Sequence, residues 1–122
     1  MKKLLLLLAI ISMVFFYDSC TKDKTIAPPD CTANDTLNTY TKSVKEIMDL
    51  NCAYAGCHDP ITHESGLILD TYDGVTNAAK TNINFFCTID HTCTPYMPYA
   101  LPKLEDSLIT KIEAWKANCY AQ

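Results

Sequence analysis

Two thiols and an imidazole fall within seven residues of this chain, Cys52-Ala53-Tyr54-Ala55-Gly56-Cys57-His58. No other stretch restricts the fold as much. In the spelling C-x-x-C-H the two sulfurs add across the vinyl groups of a haem, and the following histidine is carried beneath the ring to the iron. Here the spacer is four residues, so the chain must bulge between its two attachment points, and Gly56 has the backbone freedom to let it do so. The expectation is one covalent haem c, with Cys52 and Cys57 as thioethers and His58 on the iron. Two other readings use the same residues. A small-loop disulfide between Cys52 and Cys57 would leave His58 on the surface. A zinc site normally asks for four ligands, often as two Cys/His pairs, and only one such cluster is visible.

The start of the chain points to export. Lys2-Lys3 precedes an apolar run over residues 4–16, the charged and apolar parts of a secretory leader, and the run is too short for an ordinary membrane-spanning helix. It ends at Tyr17-Asp18-Ser19-Cys20-Thr21-Lys22, which resembles the lipobox of bacterial lipoproteins, so Cys20 is expected to be the lipidated first residue of the mature chain. Cleavage at a nearby ordinary site is the alternative. The expected location is a membrane of the bacterial cell envelope, on its periplasmic side or at the cell surface.

Without residues 1–19 the chain has room for one small domain. Domains of this size gain much from staples or a buried cofactor. The formal net charge is −4, and the basic residues are all lysines. They are scattered rather than gathered into a stripe, so nucleic acid is not an expected partner.

Seven cysteines is an odd number for an exported chain. Assigning Cys20 to lipid and Cys52 with Cys57 to haem leaves Cys31, Cys87, Cys93 and Cys119, an even set in a disulfide-permissive compartment. Three pairings are open. The favoured one joins Cys87 to Cys93, neighbours in sequence, and Cys31 to Cys119, which would tie the two ends of the domain. On chain-entropy grounds the long loop would contribute about 4 kcal/mol and the short one about 2 kcal/mol.

Along the chain, residues 21–38 are polar, include Pro28-Pro29 and have no apolar period, so they read as a tether. Ser43 with Glu46 has the spelling of a capping box. Tyr40, Val44, Ile47 and Met48 follow at helical spacing, so this helix should deliver Cys52. Met48, being part of that stripe, reads as core. Asp59-Pro60 ends any helix, and His63 lies in the polar loop beyond, where a solvent-facing role is the simpler reading. A second helix should be capped by Asp70 or Thr71, with Tyr72, Val75 and Ala79 on one face. Residues 81–94 show no clean period and read as an irregular loop, whose Phe85 and Phe86 could form a cofactor wall or ordinary core. Thr94 and Met97 each precede proline, so Met97 belongs to a stiff extended segment. The last helix is expected from about residue 105 to 118, with Leu104, Leu108, Ile112, Trp115 and Cys119 on one face and packed across the first helix.

These residues together resemble small single-haem c-type cytochrome domains of bacterial lipoproteins, especially those with a C-x-x-x-x-C-H site. The likeness covers about residues 40–119. It rests on Asn51-Cys52 and Gly56-Cys57-His58, on Ser65-Gly66-Leu67-Ile68-Leu69-Asp70-Thr71-Tyr72, on Met97-Pro98 and on a terminal helix bearing Trp115. It implies an all-α cytochrome c-like domain of about three helices around a covalent haem, with long irregular loops. Residues 1–19 would be signal peptide, 20–38 the lipidated tether and 39–122 the domain. His58 would be the proximal ligand and Met97 the distal one. Met97 is also reached by elimination, because Met1 and Met13 belong to the leader and Met48 to the core. His91 is the alternative, although a Cys87–Cys93 disulfide would restrict its reach. The implied function is electron transfer by a lipid-anchored monomer to a redox partner protein. It would not be an enzyme, since two filled axial positions leave no open site on the iron. A disulfide-stapled structural or binding lipoprotein without haem is the competing class.

Overall fold

The computed structural model describes residues 35–122. The leader, Cys20 and Cys31 lie outside the described residues. Within them the chain is helical and contains no strand, in keeping with the all-α expectation. No helix there is long and apolar enough to cross a membrane.

The first helix opens as a π-helical turn over Tyr40–Val44 and continues as α1, Lys45–Asn51. Ser43 and Glu46 do not form the expected capping box. The helix has already begun at Tyr40, whose N–H donates to the Ala121 carbonyl at 2.7 Å, and the Ser43 hydroxyl donates to the Leu37 carbonyl at 2.8 Å instead. The Lys45 N–H returns five residues to the Tyr40 carbonyl, which is the wider turn of a π-bulge.

Helix α2 spans Tyr72–Thr81, and Thr71 caps it by accepting the Gly74 N–H at 3.1 Å. Gly74 has a steric reason to be glycine: a Cβ there would lie 2.2 Å from the Ile68 carbonyl oxygen. Asn82 turns the chain by accepting the Asn84 N–H at 3.0 Å, an Asx turn. A five-residue helix α3, Phe85–Ile89, follows where an irregular loop was expected. The described residues thus hold four α-helices rather than about three. The last, α4, spans Asp106–Ala117, close to the expected limits. Its buried face uses Ile109, Ile112 and Trp115, with Ile109 where the helical spacing had placed Leu108.

Trp115 is fully buried, as are Met48 and Val44 of the first helix and Val75 of α2. Its ring lies 6.0 Å from that of Tyr40 and 5.0 Å from that of Tyr120, so α4 does pack against the start of the first helix. The C-terminus hooks back over this core. Trp115 Nε1–H donates to the Ala121 carbonyl at 2.9 Å, and the Tyr72 hydroxyl donates to the Tyr120 carbonyl at 2.8 Å. Asn118, also buried, donates from Nδ2 to the carbonyls of Asp35 at 2.7 Å and Asn38 at 2.9 Å. Residues 35–38, read as tether from the sequence, are therefore fastened to the domain. Cys87 and Cys93 are disulfide-bonded as expected. Cys119 is in a disulfide too, and the Cys31 expected opposite it lies outside the described residues.

Candidate functional site

Helix α1 ends by bringing Cys52 off its last turn, with the N–H groups of Cys52 and Ala53 both bonded to the Met48 carbonyl. The bulge that the long spacer requires is then closed by backbone bonds. The Cys57 N–H donates to the Tyr54 carbonyl at 3.1 Å, and the His58 N–H donates to the Cys52 carbonyl at 3.1 Å. Gly56 sits at φ +91 with open space where a Cβ would be, so glycine answers a conformational need here rather than a steric one.

Asp59 organises this turn, a role the sequence reading gave to no residue. One carboxylate oxygen accepts the N–H groups of Ile61 at 2.8 Å and Thr62 at 3.1 Å, and the other accepts that of Gly56 at 3.0 Å. The donors from Thr62 and Ile61, with that of Gly56 behind them, hold the carboxyl down to about 2. The signal was available: aspartate before proline, with amides two and three residues on, is an Asx-turn spelling.

His58 is buried, and its Nδ1 lies 3.1 Å from the Glu64 carbonyl oxygen. A carbonyl only accepts, so Nδ1 carries the proton, and in the neutral ring Nε2 keeps its lone pair for a metal. Cys52 and Cys57 are free thiols, not a disulfide. Burial, with neighbouring Cys57 second, pushes the Cys52 thiol up to about 12, so it stays protonated and is no activated nucleophile. Among the described residues no group of three or more His, Cys, Asp or Glu is disposed to hold a bare metal ion, so Cys52, Cys57 and His58 do not form a zinc-type cluster.

A second stretch meets this one. Helix α3 and the loop after it carry Phe85, Thr88, Ile89 and Met97 to the same cavity, of about 630 Å³, that Cys52, Cys57 and His58 line. That volume lies within the usual range for ligand pockets, roughly 300–1,000 Å³. The lining is largely apolar, with Leu67 and Leu69 contributing and Glu64 as its acidic residue. His63 and His91 are not among the lining residues. His63 is exposed, whereas His91 directs Nε2 to the Met97 carbonyl at 3.1 Å. Of the phenylalanine pair only Phe85 faces the cavity, while Phe86 carries Lys116 Nζ 4.1 Å above its ring. Met48 is wholly buried away from the site. Compared with protein-family models, curated proteins and solved structures, the chain gives no match.

Proposed function

We propose that this chain is a haem-binding, lipid-anchored electron-transfer protein of the c-type cytochrome kind. The observation that carries the reading is that one largely apolar cavity is lined by both free thiols, by His58 and by Met97. The donor set fits the group: Cys52 and Cys57 would form the thioethers, and His58 and Met97 would bind the iron. Haem c, when bound, supplies a one-electron iron couple.

The chain's own residues do the rest. The Glu64 carbonyl fixes the tautomer of His58 and its ring direction, the outer-shell bond usual for a metal-bound histidine. Leu67, Leu69, Phe85 and Ile89 give the cavity apolar walls, which bears on the potential of a bound haem. A thioether rather than a second imidazole raises that potential. If His58 and Met97 both bind the iron, no open position remains on it, so transfer of electrons to a redox partner fits better than peroxidase chemistry. Lipidation at Cys20 would hold the domain at the envelope membrane, stably if two or more acyl chains are present.

The test is a pyridine haemochrome assay on the full chain made with cytochrome maturation genes, and one covalent haem per chain is expected. No haem, with Cys52 and Cys57 still free, would sink the reading in favour of a stapled lipoprotein. In the loaded protein, Met97→Ala should abolish the weak red charge-transfer band of ferric iron bound to methionine sulfur. Cys20→Ala should release the protein from membranes.

A further inference from the structure

We propose that His91 is the positioning residue for Met97, a role that rests on the haem reading of the cavity. The Met97 peptide is gripped on both sides by α3 and the loop after it. Its N–H donates to the Thr88 carbonyl at 3.0 Å, and its carbonyl accepts from His91 Nε2 at 3.1 Å. Because a carbonyl cannot donate, Nε2 must carry a proton, so that nitrogen is committed to holding the methionine and offers no lone pair to a metal.

His91 is itself held from three directions. Its backbone is left-handed, at φ 58. Its ring stacks on Tyr96 at 4.8 Å with the planes 12° apart. Its loop is closed by the Cys87–Cys93 disulfide and by the Thr92 N–H on the Cys87 carbonyl at 2.9 Å. A ligand held on so restricted a segment loses little freedom when it binds, which is how a supporting shell strengthens a site. His91 lies outside the cavity lining and would serve the iron through Met97.

Two variants separate this role from general stability. Asparagine tolerates left-handed backbone well, so His91→Asn keeps the loop conformation, but its amide falls short of the Met97 carbonyl. His91→Gln restores a donor of comparable reach. Hydrogen exchange is read on the full chain, with or without haem, at the Met97 amide and at the Tyr40 amide bonded to Ala121. His91→Asn should speed exchange at Met97 about tenfold or more, leave Tyr40 unchanged, and be largely reversed by His91→Gln. Unchanged exchange at Met97, or equal acceleration at both amides, would overturn the proposal. In haem-loaded protein, imidazole should displace Met97 from His91→Asn at about one tenth of the concentration needed for wild type, and equal concentrations would likewise overturn it. Absence of covalent haem from wild type would defeat the haem reading, and the exchange comparison would still decide what His91 does to Met97.

Discussion

Around Trp115 the chain is held by buried apolar surface on three helices, whereas around Cys52–His58 it is held by backbone amides gathered onto a few oxygens. The first region is close-packed, with Trp115, Met48, Ile112, Val44 and Val75 under 2% exposed. The second borders a cavity, so on that side it packs against no other part of the chain. A wall that gains less from packing within the chain relies more on local hydrogen bonds, turn chemistry and crosslinks. That is the work of Asp59, Gly56 and the Cys87–Cys93 disulfide.

The sharpest way to break the comparison is in the packed region. Trp115→Ala should cost about 3–5 kcal/mol, a large share of a domain's total stability of the order of 5–15 kcal/mol. The fall in the urea midpoint, followed by helical circular dichroism at 25 °C, checks it. Replacing Cys87 and Cys93 together by serine should cost about 2 kcal/mol. The sole tryptophan, Trp115, should keep its native fluorescence while the denaturation midpoint falls.

Gly56→Ala should cost about 1 kcal/mol or slightly more, because alanine is strained at positive φ. In protein made without haem, alkylation of Cys52 and Cys57 should quicken more than the loss of global stability explains. The mildest change is Asp59→Asn, which keeps an oxygen for the Ile61 and Thr62 amides. It should show itself chiefly through pH. The folded carboxyl is lowered from 3.8 to about 2, so its contribution is fully present above 3.8 and is lost as pH falls through about 2. Urea midpoints at pH 7, 4 and 2 should find wild type clearly ahead of the variant at the first two, with most of that lead gone at the last.

The two regions also differed in how far they could be read from sequence. Helical spacing located Trp115 and Ile112, and Thr71 was one of two caps considered, because these follow from local pattern. The Ser43–Glu46 box failed because a tertiary partner, the Ala121 carbonyl, starts the helix earlier at Tyr40. Helix α3 is too short for a period to show. At the cavity, the thiols and His58 were visible as a motif and Met97 through its following proline. The bonds that aim them were not visible, since His58 and His91 both donate to main-chain carbonyls, and every residue type carries one.

Asn118 has a consequence of a mechanical kind. It binds the carbonyls of Asp35 and Asn38 from the end of α4, beside the disulfide-bonded Cys119, so a pull entering the described residues at Asp35 is passed into α4. The load path runs along the Trp115 side of the domain and bypasses the Cys52–His58 turn. Tension on a tether would therefore strain the part of the molecule best able to resist it and leave the geometry of the cavity undisturbed.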